Sequence, residues 1–334
     1  MANELTTRCQ ALLEELGLIS EGSAITATAL TGGVASDIAK VTTETKTYCV
    51  KFALAKLRVA ADWFAPVERN FAEYQWLKVV ADIAPDASLH LYGHSATQNG
   101  FVMSFLEGDD IRLLKTELLK GRGQRQDAVA IGQLLGKIHQ TSTMPSFDDS
   151  PFHNQDDFYK IRIEPYLVYT AGQHPALAPI FHDMASSLYE AQTVLIHGDV
   201  SPKNILLKQN QPYILDAECA TMGDPCFDIA FCLNHFLLKA LHVQTHFSSY
   251  LGYCTAFWDA YRLSVSWEDP AVLEARFTRL LPLLLLARID GKSPVEYLSE
   301  ESRIAIRALS IRLIEAAPTS LSALLQLIAE KEIS

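Results

Sequence analysis

The sequence lacks several patterns that would place it at once in a class of protein. Its six cysteines contain no Cys-x-x-Cys pair, so a zinc site of the usual spacing is not expected. It has no Gly-x-x-x-x-Gly-Lys-Ser/Thr segment, which excludes a Walker A nucleotide loop. The longest apolar run covers residues 280–287 and is broken by Pro282, so it is too short to cross a bilayer and fits a buried helix.

Basic residues are also in short supply. The chain has 28 lysines and arginines against 39 acidic residues, a net charge of −11 at pH 7. Nucleic acid requires a basic face and is therefore not an expected partner. A cationic small substrate would suit this charge, although solubility alone also explains it. The first residues do not follow the signal-peptide pattern and the cysteines are scattered, so we expect a cytoplasmic protein with reduced thiols and no membrane contact.

With 334 residues, the chain is long enough for two lobes. Alternating apolar, β-branched and aromatic residues predict strands at 38–42, 47–52, 89–92 and 101–106. Apolar residues at helical spacing predict helices at 4–16, 66–81, 126–140, 228–242, 271–289 and 300–330. A polar segment, 141–160, predicts a loop. We therefore expect an α+β fold, with a β-rich lobe over 1–106, a mainly helical lobe over 107–334 and a nucleotide in the cleft between them.

Residues 196–218 hold the most informative motif. Asp199 follows His197 by two positions and Asn204 follows Asp199 by five, which is the His-x-Asp-x-x-x-x-Asn spacing of kinase catalytic loops. Phosphoryl transfer from ATP needs one carboxylate that orients the acceptor hydroxyl and takes its proton, and oxygen ligands that hold Mg²⁺ on the phosphates. Asp199 is accordingly the candidate catalytic base, and Asn204 and Asp216 are the candidate Mg²⁺ ligands.

The whole stretch, His-Gly-Asp-x₄-Asn followed by Asp-x-Glu and Phe-Asp-Ile-Ala at 227–230, resembles the small-molecule kinases of the aminoglycoside phosphotransferase, choline kinase and methylthioribose kinase family. The resemblance implies a protein-kinase-like, two-lobed fold, ATP and Mg²⁺ as cofactors, and a small-molecule hydroxyl as acceptor. It also implies a place for Glu218 at the metal site, with a salt bridge outside that site as the alternative. Asp228 would be structural, and His197 is expected to brace the loop by hydrogen bonds.

In the first lobe, Lys51 lies in a strand between apolar neighbours. In kinases a lysine at this place contacts the α- and β-phosphates and pairs with a helix glutamate. An exposed lysine at a strand end is the alternative. Glu68 and Glu73 both lie on the predicted helix, and we favour Glu73 because it lies at the edge of the apolar stripe.

Two further segments match the family. The glycine pair in residues 31–36 would let backbone N–H groups approach phosphate oxygens, although a hairpin turn gives the same pattern. Residues 101–108 match the hinge between the lobes, where backbone groups would contact adenine, although a plain buried strand has the same apolar pattern. The candidate cofactor-binding residues of these segments are Gly32, Gly33, Ser36, Met103, Ser104 and Phe105.

The residues of the acceptor pocket are the hardest part of the site to predict from the sequence. Arg288 and Lys292 are candidates for it, although a helix end followed by a new helix start explains them equally well. The leading hypothesis is a kinase that phosphorylates an amino alcohol or a sugar-like metabolite. A nucleotide-binding pseudokinase or regulatory protein and an aminoglycoside-modifying phosphotransferase are the alternatives. A protein kinase is disfavoured because eleven residues separate Asp216 from Asp228 and no Ala-Pro-Glu segment follows.

Overall fold

The computed structural model describes residues 2–30, 36–56 and 66–330. The chain divides into two compact units, Met1–Ile111 and Arg112–Ser334. The first unit is built on an antiparallel sheet and the second is mainly helical, which confirms the expected α+β class.

Within its described residues, the first unit contains five strands in the order β1-β2-β3-β5-β4, with every neighbouring pair antiparallel. The strands are β1 (Thr26–Ala29), β2 (Ser36–Thr42), β3 (Thr47–Ala53), β4 (Leu91–Ser95) and β5 (Gly100–Ser104). The helices are α1 (Ala2–Glu15) and α2 (Arg69–Ile83), and α2 is followed by a 3₁₀ turn, Pro85–Ala87.

Strand β3 lies at the centre of this sheet, and its alternation sets the position of Lys51. Tyr48, Val50 and Phe52 point into a core that α1 closes with Leu12 and other apolar side chains. Because successive side chains of a strand point to opposite faces, Lys51 points to the other face, where α2 packs. Lys51 is therefore buried between the sheet and α2.

The second unit has five short strands and ten α-helices among the residues that the structure describes. The strands are β6 (Arg112–Leu113), β7 (Val194–Ile196), β8 (Ile205–Lys208), β9 (Gln211–Ile214) and β10 (Thr221–Gly223). The helices are α3 (Leu114–Leu119), α4 (Arg125–Ser142), α5 (Gln155–Phe158), α6 (Tyr169–Gln173), α7 (Ala178–Glu190), α8 (Pro225–His242), α9 (Phe247–Tyr261), α10 (Pro270–Asp290), α11 (Glu300–Ala316) and α12 (Leu321–Ala329). A π-helix, Tyr159–Val168, follows α5, and short 3₁₀ turns lie at Ser150–Phe152, Pro202–Asn204, Gln244–His246 and Arg262–Ser264.

Helix α8 is the core of this unit, since it is buried along nearly its whole length and packs against α9 and α10. Helices α4 and α9 approach closely because α4 carries Gly132, where a Cβ would lie 2.4 Å from the carbonyl oxygen of Phe257. The 197–204 loop joins two small sheets, because it runs from β7 of the sheet β10-β7 to β8 of the sheet β6-β8-β9. They fix both ends of the segment that carries the kinase-like motif.

Two sequence expectations need correction. The segment 141–160 is not a continuous loop, because it contains α5 and the start of the π-helix. The single helix expected over 300–330 is two helices, and the break falls at Ala317, whose φ of 45° is left-handed, followed by Pro318.

None of the helices in the described part of the chain is by itself long and apolar enough to cross a membrane. Helix α8 and the segment Gln244–Ser264, bent by 117° at their junction, meet the length and composition criteria only as a pair.

Candidate active site

The loop between β7 and β8 is pinned by buried hydrogen bonds. Asp228, at the start of α8, accepts from the backbone N–H groups of His197 at 2.6 Å and Gly198 at 2.8 Å. The His197 ring spans the loop, because Nε2 lies 3.1 Å from the carbonyl oxygen of Leu215 and Nδ1 accepts from the backbone N–H of Asp199 at 3.1 Å. Burial lowers the pKa of His197, and a neutral ring with one donor and one acceptor nitrogen fits these contacts.

Gly198 is required by the shape of this loop. Its φ is 76°, in the left-handed region that favours glycine. A Cβ at this position would lie 2.7 Å from the Cβ of Cys219 and 3.1 Å from the Cys219 carbonyl oxygen. The glycine therefore serves both the turn and the close approach of the two segments.

Asp199 is a buried carboxylate held by two cations. Arg162 Nη2 lies 2.8 Å and Lys203 Nζ lies 3.2 Å from the same oxygen, Oδ2. Burial alone would raise the pKa of Asp199, but the charges of Lys203 and Arg162 outweigh it and hold the pKa below its ordinary value. No hydrogen bond from residues in the described part of the chain reaches Oδ1. The group is an ionised carboxylate with one oxygen left for another donor.

Arg162 was missed by the sequence analysis. It lies in the π-helix, and its guanidinium also donates to the carbonyl oxygen of Gly198 at 2.6 Å through Nε. One side chain therefore holds the backbone of the loop and the carboxylate of Asp199. The available signal was a charged residue between two isoleucines, Ile161 and Ile163, which are buried.

The candidate metal ligands offer oxygen atoms. Asn204 Nδ2 donates to the Asp199 carbonyl oxygen at 3.1 Å, so the amide oxygen is the atom directed away from that bond. The N–H of Leu215 donates to the Asn204 carbonyl at 2.8 Å, which ties this residue to the chain just before Asp216. Asp216 has a left-handed φ of 70°, and its carboxylate has an oxygen within 4.8 Å of one on Glu218. An amide and two carboxylates are hard ligands that fit Mg²⁺.

In the first unit, Lys51 and Glu73 form an ion pair at 2.6 Å, and their side chains are only 2% and 1% exposed. Of the two glutamates considered, Glu73 is thus the one that pairs with Lys51. Ser36 is buried at the start of β2, opposite Ala53. Gly32 and Gly33 lie outside the described residues.

Strand β5, at whose end backbone groups are expected to bind adenine, ends at Ser104. Met103 is buried within β5, opposite Cys49. The backbone N–H of Ser104 donates to the carbonyl of His90 at 2.8 Å, so this N–H is already used. Phe105 follows the end of the strand, and the ammonium of Lys40 lies 4.6 Å from its ring centre.

The two candidate acceptor residues lie in different settings. Arg288, near the end of α10, donates from Nη1 to Tyr166 Oη at 3.1 Å and to Ser293 Oγ at 2.9 Å. Lys292 forms an ion pair with Glu164 at 2.7 Å, and both side chains are about one-third exposed. Arg288 is thus half-buried and hydrogen-bonded to Tyr166 of the π-helix. Lys292 instead forms an ion pair at the surface.

Comparisons with known proteins agree with this architecture. The sequence profile of the Phosphotransferase enzyme family matches residues 26–263. The curated mouse (Mus musculus) protein acyl-CoA dehydrogenase family member 10 is 28% identical over 134 residues, which cover 37% of this chain and 12% of that protein. This chain therefore spans a small part of that relative's length.

Two solved structures are similar over nearly the whole chain. The amicoumacin kinase hAmiN, in complex with AMP-PNP, Ca²⁺ and Ami, has a TM-score of 0.58 at 15% identity, covering 96% of this chain and 98% of that one. A choline/ethanolamine kinase family protein from Mesorhizobium loti has a TM-score of 0.55 at 14% identity, covering 96% and 99%. These similarities confirm the protein-kinase-like fold that the motif implies.

Proposed function

The chain belongs to the phosphotransferase enzyme family, and on that basis we propose that it is an ATP- and Mg²⁺-dependent kinase that phosphorylates a hydroxyl of a small metabolite. The observation that carries this proposal is the state of Asp199, an ionised carboxylate with Oδ2 fixed by Arg162 and Lys203. A carboxylate held in this way can orient a hydroxyl and accept its proton.

In the proposed reaction, the acceptor oxygen attacks the γ-phosphorus and forms a new P–O bond. The bond between the γ-phosphorus and the β,γ-bridging oxygen breaks, and ADP leaves with its electron pair. The hydroxyl proton passes to Oδ1 of Asp199. A strong base is unnecessary because positioning supplies most of the rate in this reaction, so a lowered pKa at Asp199 is compatible with the role.

Mg²⁺, when bound, neutralises charge that develops on the phosphate oxygens. Asn204, Asp216 and Glu218 are the residues proposed to hold it, since their ligand atoms are hard oxygens. The hAmiN structure contains both AMP-PNP and Ca²⁺, which supports a nucleotide with a divalent cation here.

For the first unit, we propose that Lys51, oriented by Glu73, supplies positive charge to the ATP phosphates. The 31–36 loop and the chain from Met103 to Phe105 stay the predicted contacts of the phosphates and of adenine.

The test is ADP release in the presence of Mg²⁺, first without an acceptor and then with amino alcohols and sugars. Wild type should hydrolyse ATP slowly and turn over faster with a true acceptor. Asp199→Asn should lower turnover by about 10²- to 10⁴-fold, whereas Asp259→Asn, which alters a surface ion pair, should leave it unchanged. Nucleotide binding without turnover in wild type, or equal turnover in Asp199→Asn, would contradict the proposal and favour a pseudokinase.

A further inference from the structure

Basic side chains gather around helix α8 in the helical unit. Lys239 and His235 lie one turn apart on α8 and are 1% and 8% exposed. Arg288 lies on α10, which packs against α8, and its charge acts on both groups. The Lys239 ammonium also lies 5.2 Å from the ring centre of Tyr297. We call Lys239, His235 and Arg288 the basic cluster.

The basic cluster is short of negative charge within the described part of the chain. Glu296 is the carboxylate that acts on Lys239, but it is ion-paired with Lys115 at 2.5 Å. The hydrogen bond of Lys239 runs to the backbone carbonyl of His235 at 3.5 Å, and no carboxylate of a described residue lies within 4.0 Å of it. Burial, followed by the charges of Arg288 and Lys115, lowers the pKa of Lys239 to about 7. A buried ammonium without a counter-ion is costly, and an anion would relieve that cost.

Three polar atoms of the basic cluster and of the adjoining Tyr297 have no hydrogen-bond partner among the residues that the structure describes. They are His235 Nδ1, Arg288 Nε and Tyr297 Oη, and all three atoms are buried. Buried polar atoms in folded proteins are nearly always hydrogen-bonded. A guanidinium N–H and a phenol O–H are donors, so the missing partner is an acceptor such as an oxyanion.

The basic cluster is connected to the candidate base through the π-helix. Arg288 donates to Tyr166 Oη at 3.1 Å. Tyr166 lies one turn after Arg162 in that helix, and Arg162 holds Asp199 at 2.8 Å. Asp199 and the basic cluster are therefore linked through side chains of the same helix within one unit.

We infer that the acceptor carries an oxyanion, either a carboxylate or a phosphate, in addition to its hydroxyl, and that the basic cluster binds this oxyanion. The inference rests on the proposed function, because it names the class of the acceptor in that reaction. The net charge of −11 suggested a cationic acceptor. The side chains around Lys239 have the opposite charge, and a bound acceptor interacts mainly with the charges next to it.

The test compares probes that share one carbon skeleton. Glycerol is the neutral probe, D-glycerate and glycerol 3-phosphate are the anionic probes, and choline is a cationic control. Binding is measured by calorimetry with AMP-PNP and Mg²⁺ present, so the result does not depend on turnover. Wild type should bind one of the anionic probes at least about tenfold more tightly than glycerol, as expected for a charge-assisted hydrogen bond.

Variants assign this preference to the basic cluster. Lys239→Met and Arg288→Met should each reduce the preference for the anionic probe about tenfold, and Lys120→Met, at an exposed site on the same unit, should not. Because Lys239 is buried, thermal unfolding checks that its variant is folded, and the half-buried Arg288 gives an independent measurement. Preference for glycerate identifies a carboxylate site and preference for glycerol 3-phosphate identifies a phosphate site.

Two results would overturn the inference. One is binding of glycerol or choline as tight as that of both anions, and the other is an undiminished preference in both variants. Failure of the proposed function looks different, since ATP hydrolysis would be absent while the anion preference persisted.

Discussion

Arg162 and Asp199 are 37 residues apart in the sequence, and the guanidinium of Arg162 donates to Oδ2 of Asp199 at 2.8 Å. The same guanidinium donates to the carbonyl of Gly198 at 2.6 Å. Arg162 thus orients the Asp199 carboxylate and also stabilises its negative charge.

Arg162→Met tests this positioning role. Burial raises the pKa of Asp199, and Lys203 and Arg162 lower it, so loss of Arg162 should raise that pKa. The acidic limb of the kcat profile should therefore move to higher pH, with kcat lowered about tenfold or more and KM for ATP little changed. Arg279→Met, which breaks a surface pair with Asp183, is the matched control. An acidic limb that stays in place would contradict the role.

Gly198→Ala should destabilise the helical unit. The left-handed φ and the 2.7 Å approach to Cys219 leave no room for a methyl group, so we expect a loss of about 2 kcal/mol or more in the free energy of unfolding. Gly252→Ala, within α9, meets nothing within 4 Å and should be neutral or slightly stabilising. Equal unfolding temperatures for the two variants would refute this account of the loop.

Lys51→Met should destabilise the first unit, because it leaves Glu73 as a buried charge without its cation. The expected loss is about 3 to 5 kcal/mol, and Lys51→Met combined with Glu73→Leu should recover much of it. Thermal unfolding measures both, with Lys78→Met on the exposed side of α2 as the control. A double variant as unstable as the single one would show that the pair is not coupled.

Asp216→Asn removes the charge of this side chain without adding strain to its left-handed backbone. Asparagine tolerates the left-handed φ of 70°, so the unfolding temperature without Mg²⁺ should not change. The Mg²⁺ concentration that gives half-maximal stabilisation in the presence of AMP-PNP should rise about tenfold or more, because one anionic ligand is lost. Asp216→Ala should lose stability as well, by roughly 1 kcal/mol. Unaltered Mg²⁺ dependence in Asp216→Asn would place the metal elsewhere.

Binding of an anionic acceptor should weaken as the pH rises above 7. The pKa of free Lys239 is about 7, so the ammonium that attracts the anion is lost above that pH. The apparent affinity should fall about tenfold per pH unit until the higher pKa of the complex is reached. The charged groups that act on Lys239 are Arg288, Lys115 and Glu296, together with Cys232 on its own helix. Lys239 acts in turn on His235 and His242 of that helix.

Burial lowers the pKa of His235 well below its ordinary value, so His235 should stay neutral and add no second step. Calorimetry with the anionic probe from pH 6 to 9 measures the slope, and Lys239→Met should flatten it. Affinity that rises with pH would contradict the assignment.

The sequence predicts the loop around Asp199 well because its polar residues are close together and their spacing is set by the chemistry they serve. The pairing of Lys51 with Glu73 was also accessible, since one strand and one helical stripe determine it. Arg162 and the basic cluster were not accessible in the same way. Their members come from the π-helix, α8 and α10, and only tertiary packing brings them together. Arg288 was singled out, but its neighbours were not.

The π-helix from Tyr159 to Val168 has a consequence for variation among related sequences. Its hydrogen bonds span five residues instead of four, so it holds more chain per turn than an α-helix. Deletion of a single residue within it could restore α-helical winding and rotate the side chains of Arg162 and Tyr166 to new directions. The His-Gly-Asp loop would keep its own length throughout. A length change of one residue in this segment would therefore alter both Arg162, which holds Asp199, and Tyr166, which contacts Arg288, without a change in the His-Gly-Asp loop.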